Sequence, residues 1–131
     1  MKKPIFVLFY IIVCFPCHSQ WKKVESNNDF REYIDFKTVK KINEFIYMWS
    51  LRDYKSPQKN GNLSTKYYTK YDCHEMRYEV LSIVVYDVNM GRGRKFKYLK
   101  NIYDESAEPN WIYQSEKDKK NFLLNSVCKL K

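Results

Sequence analysis

Four consecutive side chains, Asp72, Cys73, His74 and Glu75, are of types that could carry acid–base or metal chemistry in this 131-residue chain. A histidine between two carboxylates could relay a proton or contribute to a divalent-cation site. Their spacing argues against both. On an extended backbone Asp72 and His74 point one way and Glu75 the other, and no second histidine follows at metal-ligand spacing. Without a partner constellation the cluster reads as a solvated strand end. The chain also lacks a glycine-rich phosphate loop and a nucleophile elbow. No catalytic, cofactor-binding or metal-binding residues are therefore assigned, and an enzyme is the least favoured class. Cys73 has a different chemistry open to it. Cys14 and Cys17 lie in an N-terminal apolar run, which leaves Cys128 as the covalent partner for Cys73.

A second stretch could bind rather than react. Gly91-Arg92-Gly93-Arg94-Lys95-Phe96-Lys97-Tyr98-Leu99-Lys100 gathers five cations, Arg92, Arg94, Lys95, Lys97 and Lys100, and interleaves them with Phe96 and Tyr98. Such a hairpin could grip an acidic partner. The bland reading is a solvated sheet edge whose charges protect it from strand addition: if Phe96 and Tyr98 pack inward, Lys95 and Lys97 point outward. Cations with interleaved aromatics can also track a nucleic-acid backbone, but an export signal argues against nucleic acid as the partner.

That signal opens the chain. Met1-Lys2-Lys3 is followed by an apolar core from Ile5 to Phe15, and polar residues begin at His18. The run is shorter than the ~20 apolar residues a membrane-spanning helix needs and has the order of a removable signal peptide. Cleavage before Gln20 places Cys17 and Ser19 at the small-residue positions, so residues 1–19 form the signal and 20–131 a single domain with no transmembrane segment. Lipid anchoring at Cys17 is disfavoured, because Phe15 and Pro16 precede it where small residues are needed. Cleavage removes Lys2 and Lys3 and no acid, taking the net charge from +9 to +7. A domain of this size buries a modest core, and exported domains often add a disulfide. A Cys73–Cys128 bridge closes a loop of about 55 residues, for which chain entropy gives roughly 4 kcal/mol.

The elements that must position these residues are mostly strands, since tyrosine, threonine, valine and isoleucine dominate and helix signals are confined to the end. Strands are expected at Trp21–Val24, Phe30–Asp35, Phe45–Tyr54, Leu63–Cys73, Met76–Val88, Lys95–Leu99 and Trp111–Tyr113, with a single turn at Thr38–Lys41. Phe45–Tyr54 is apolar on both faces and is read as a central strand. Asn60-Gly61 and Met90-Gly91-Arg92-Gly93 supply turns. In Met76–Val88, Leu81, Ile83 and Val85 are set opposite Val80, Val84 and Tyr86. Tyr67, Tyr68 and Tyr71 read as core and cross-strand packing. Ser115 caps a final helix, with Glu116 and Asp118 in its first turn, and Leu124, Val127 and Cys128 form its buried stripe. The fold class is mainly β (α+β): one antiparallel sheet of about six strands, with a C-terminal helix packed on one face and tethered by the disulfide.

Taken in order, Trp21, Tyr33-Ile34-Asp35 with Thr38-Val39, Trp49-Ser50-Leu51-x-Asp53-Tyr54, Ser64-x-Lys66, Asp72-Cys73, and Trp111 ahead of Ser115 and Val127-Cys128 resemble the surface-adhesin protein E family of Gram-negative bacteria. The resemblance spans nearly the whole mature chain and includes the family's Asp-Cys to Val-Cys arrangement. Tyr113 departs from it, standing where family members often carry a proline. The resemblance implies an antiparallel sheet with a disulfide-held C-terminal helix, surface exposure, a homodimer, and host ligands of the vitronectin and laminin class.

An adhesin that binds host matrix or serum proteins is thus the leading expectation, located in the periplasm or on the outer-membrane surface. A periplasmic envelope-accessory or inhibitor protein is the alternative. A lysozyme inhibitor meets a basic target, which a +7 surface would repel.

Overall fold

In the computed structural model, residues 21–99, 108–114 and 122–130 are described, apart from the side chains of residues 97–99 and 122. The expected signal peptide, the Ser115 cap with Glu116 and Asp118, and Lys100 lie outside the described residues.

Among the described residues eight strands form one sheet: β1 (Trp21–Ser26), β2 (Phe30–Asp35), β3 (Lys40–Ile42), β4 (Phe45–Tyr54), β5 (Ser64–Asp72), β6 (Arg77–Val88), β7 (Arg92–Leu99) and β8 (Ile112–Tyr113). The main path runs β1-β2-β4-β5-β6-β7 and every pairing is antiparallel. The two short strands extend its edges, β3 against β4 and β8 against β6. Among the described residues one α-helix, α1 (Phe122–Cys128), follows.

The turns follow local chemistry. The Asn27 carboxamide accepts from the amides of Asp29 and Phe30 at 2.8 and 2.9 Å, closing the β1–β2 turn with an Asx motif. The expected turn at Thr38–Lys41 is displaced. A 3₁₀ turn occupies Phe36–Thr38, because the Asp35 carboxylate accepts from the Lys37 amide, and Lys40–Ile42 is then free to pair with β4 as a strand. The Thr38 hydroxyl fastens this corner by donating to the Asp35 carbonyl and accepting from the Trp49 amide.

The register sorts the side chains into two faces. Ile34, Ile46, Met48 and Tyr71 share one face, and α1 lies on it with Leu124 and Val127 fully buried. Burying such side chains contributes about 1.5–3 kcal/mol each. The expected stripe is therefore the one that packs. Cys73 and Cys128 are bridged, with Cα atoms 5.5 Å apart, and both border this core. The opposite face buries Leu51, Leu81 and Val84, so β4 is apolar on both sides as its composition implies.

One facing pattern differs from expectation. The β5–β6 register shifts at Leu81, which faces no β5 residue: Tyr68 pairs Ser82 and Thr69 pairs Val80. This bulge turns Val80 onto the same face as Ile83 and Val85 rather than opposite them, since an extra residue reverses the alternation on one side of it.

Candidate functional site

The basic stretch folds as the β6–β7 hairpin, and its base is held from the side by neighbouring strands. Asp53, 3% exposed, accepts from the Asn89 carboxamide at 2.9 Å and the Met90 amide at 2.8 Å. The Ser64 hydroxyl donates to the Val88 carbonyl and accepts from the Gly91 amide. Met90 adopts φ 60 in the turn. The turn thus occupies Asn89–Gly91 and the strand begins at Arg92, three residues earlier than expected.

Beyond the turn the ladder is bulged again: Val88 pairs Arg92 and Tyr86 pairs Lys95. Opposite the bulge, the Asp87 carboxylate accepts from the Arg94 amide and from its Nε, both at 2.8 Å. The Arg94 guanidinium holds the Asp87 carboxyl below the usual carboxylate range. Arg94 is thereby partly neutralised, whereas Arg92 and Lys95 are exposed cations. Phe96 does not pack inward: it is 62% exposed, because β7 is the end of the sheet path and α1 covers the other end of that face. The backbone of Lys97 and Tyr98 pairs with Val84 and Ile83; their side chains are outside the described residues. The hairpin therefore exposes Arg92, Lys95 and Phe96 on a fixed support, with Lys95 and Phe96 on opposite faces of β7.

Asp72, Cys73, His74 and Glu75 separate into different roles. Asp72 is no solvated strand end: it is 3% exposed and accepts from the amides of His74 and Glu75 and from Arg77 Nε at 2.8 Å. Burial alone would raise its pKa, but the Glu75 amide, the Arg77 guanidinium and the His74 amide outweigh it and hold the carboxyl low. It caps the β5–β6 turn that presents Cys73 to Cys128. His74 faces solvent with its side chain 88% exposed, as the strand-end reading expects. Among the described residues no three His, Cys, Asp or Glu side chains gather as a metal-ligand set, and no helix is long and apolar enough to cross a membrane.

Two arrangements go beyond the sequence expectations. On the face opposite α1, Lys70 Nζ lies 4.1 Å from the Phe45 ring centre and 5.1 Å from that of Trp111, and Arg77 lies 4.3 Å from Trp111. Tyr68 packs there against Tyr47 and Trp49, so the three tyrosines Tyr67, Tyr68 and Tyr71 are split between faces. On the helix face, Arg52 Nη2 pairs with both oxygens of buried Glu32 at 3.3 and 3.0 Å and stacks 4.1 Å from the Phe30 ring centre. Burial pushes the Glu32 carboxyl up, Arg52 pulls it back in part, and Glu25 adds to the rise. The signal was present: strict alternation along β4 puts Arg52 on the side of Ile46 and Met48, where a charge requires a partner.

The family model described as surface-adhesin protein E matches residues 21–129. No curated protein sequence matches the chain. Among solved structures, one of Haemophilus influenzae protein E superposes with a TM-score of 0.57 at 12% identity, covering 86% of each chain. A second, of protein E from non-typeable Haemophilus influenzae, gives 0.57 at 12% identity over 85% of this chain and 76% of that one. A further crystal form of Haemophilus influenzae protein E gives 0.56 at 12% identity over 82% and 92%. At this identity the likeness concerns the fold.

Proposed function

Because the chain belongs to the surface-adhesin protein E family, we propose that it is exported and acts as an adhesin for host matrix or serum proteins of the vitronectin and laminin class. The β6–β7 hairpin is its contact surface. Family membership supplies the class of function, and the reading of the hairpin is supported by Arg92, Lys95 and Phe96, all exposed on β7 just beyond a turn pinned by Asp53 and Ser64. Arginine and exposed aromatics are enriched where protein partners dock, and a pre-formed turn lowers the ordering cost of binding. The +7 charge that remains once residues 1–19 are removed would draw acidic segments of such partners toward it.

Immobilised vitronectin, laminin and whole host-cell matrix are the ligands to test. Changing Arg92, Arg94, Lys95 and Lys97 together to glutamine should weaken binding about tenfold at low ionic strength and much less above physiological salt, since exposed cations act through screened attraction. Phe96→Ala should weaken it at all salt concentrations. Wild type that binds none of these ligands and stays periplasmic would replace adhesion by the envelope-accessory reading. Equal binding by wild type and the fourfold variant at every salt concentration would keep adhesion and move the contact surface elsewhere.

A further inference from the structure

The face of the sheet opposite α1 gathers rings and cations that the hairpin reading does not use. Strand alternation places Phe45, Tyr47 and Trp49 of β4 and Lys66, Tyr68 and Lys70 of β5 on it. All six are partly exposed. Tyr68 packs against Tyr47 and Trp49 at the centre. To one side, Lys66 Nζ lies 5.6 Å from the Trp21 ring centre and 5.1 Å from that of Tyr86. To the other, Lys70 Nζ lies over Phe45 and Trp111. The three tryptophans of the chain, Trp21, Trp49 and Trp111, therefore all meet this face.

Charge on this face is divided by depth. Its carboxylates Asp53, Asp72 and Glu79 are buried and engaged, the first two with Arg31 and Arg77 and the third with the Asn110 amide. Asp35 and Glu44 stand at one corner, where Asp35 accepts from the Lys37 amide. The unpaired cations reach the surface. Lys66 and Lys70 touch rings and make no ion pair among the described residues. Exposed Lys40 follows Lys70 across the sheet through Tyr47, and exposed Lys23 follows Lys66 through Leu51 and Tyr33. Ordinary strand spacings set the backbones of Lys66 and Lys70 ~13 Å apart, with Lys40 ~10 Å from Lys70 and Lys23 ~14 Å from Lys66. Segments 100–107 and 115–121 hold four bases and four acids, so in sum they do not offset this excess.

Separated cations on a broad face suit a polymer with repeating anionic groups. A lysine held over rings is already positioned, which lowers the ordering cost of capturing an anion. The rings are engaged by those lysines and by one another, so they form no free stacking platform of the kind single-stranded nucleic acid uses. None of the tryptophans is among the exposed large side chains, which disfavours insertion into a lipid surface. The strands β4, β5 and β6 that cross the face are paired on both sides, leaving an extended peptide no edge to join. We infer that the face opposite α1 binds a linear sulfated polysaccharide of the glycosaminoglycan class, with Lys23, Lys40, Lys66 and Lys70 holding its sulfates.

The inference goes beyond the protein-adhesin reading and stands or falls separately, because Lys66 and Lys70 lie outside the hairpin. The test titrates the disulfide-bonded protein with a heparin oligosaccharide and with its desulfated form. Binding is read by calorimetry and by tryptophan fluorescence, which reports on this face because all three tryptophans meet it. The sulfated form should bind and change the fluorescence, and the desulfated form should bind much more weakly. Changing Lys66 and Lys70 together to glutamine should weaken binding about tenfold at low salt and flatten its salt dependence, since fewer counterions are released. Changing both to arginine keeps the charge and should keep the affinity. Changing Arg92 and Arg94 to glutamine should leave the fluorescence response in place. A purely structural role for the two lysines predicts a lower melting temperature with unchanged affinity of the folded protein. The proposal is overturned if the sulfated form does not bind, if desulfation makes no difference, or if the glutamine variant binds as wild type does. Tighter binding of a thymidine oligonucleotide or of phosphatidylglycerol vesicles would also overturn it, by assigning the face to nucleic acid or to lipid.

Discussion

Two buried carboxylates show how the same residue class is set to opposite purposes by its neighbours. Asp72 is held ionised by two amides and Arg77, so its folded pKa lies below the ordinary 3.8. The stability it contributes is present above that value and is lost as pH falls through the folded pKa. Glu32 has its pKa raised above 4.5, chiefly by burial. For a raised carboxyl the sign reverses: its contribution is full below 4.5 and is lost as pH rises through the folded value. Urea unfolding of Asp72→Asn and Glu32→Gln across acidic to neutral pH should display this. The deficit of Asp72→Asn relative to wild type should shrink as pH drops below 3.8, whereas Glu32→Gln should gain on wild type as pH rises above 4.5. Parallel pH curves for both variants would mean that neither carboxyl is shifted. At neutral pH Asp72→Asn should cost about 1–3 kcal/mol, because the charge-assisted bonds it makes are buried.

At the scale of elements, two attachments hold the architecture. The Cys73–Cys128 bridge ties the seven-residue α1 to the β5–β6 turn. A helix this short is not stable alone, so its place depends on the bridge and on burial of Leu124 and Val127. Cys128→Ser should lower stability by about 2–5 kcal/mol, and an unchanged melting temperature under oxidising conditions would show that packing alone retains the helix. The second attachment is the bulge at Gly93, which has φ +83. A Cβ there would stand 2.2 Å from Asp87 Oδ1. Gly93→Ala should therefore cost roughly 1–3 kcal/mol from backbone strain and the displaced Asp87, and should disturb the exposed hairpin more than α1. Amide exchange along β7 and α1 would distinguish the two.

For the whole molecule, the consequential quantity is charge. The chain carries 24 basic and 15 acidic residues, while three of the four buried carboxylates among the described residues, Glu32, Asp53 and Asp72, are each paired with an arginine. The engaged acids are inward and many cations remain outward, which suits attraction of acidic partners over a range set by ionic strength. If the protein acts as an adhesin, intact cells treated with protease should lose it, and cells with permeabilised outer membranes should show no additional loss. Protection in intact cells would locate it in the periplasm.

How much was legible depends on the range of the interactions. The strands Phe30–Asp35 and Phe45–Tyr54 coincide with their sequence patterns, as does the buried stripe of Leu124, Val127 and Cys128, because alternation and helical spacing are local properties read directly from residue order. The disulfide followed from counting cysteines. Lys40–Ile42 was missed as a strand, since three exposed residues carry no pattern and pair only because Asp35 and Thr38 bend the chain back to β4. The bulge at Leu81 could not be read from β6 alone, because a register shift is a relation between two strands. The pairing of Arg52 with buried Glu32 needed still more: the two are separated along the chain, and only the register of β2 with β4 sets them opposite each other. The sequence by itself determined which faces are apolar and where the covalent tie falls, because both depend on residue type and spacing. Tertiary structure decided which polar groups meet, because desolvation and hydrogen bonding depend on neighbours that residue order does not specify.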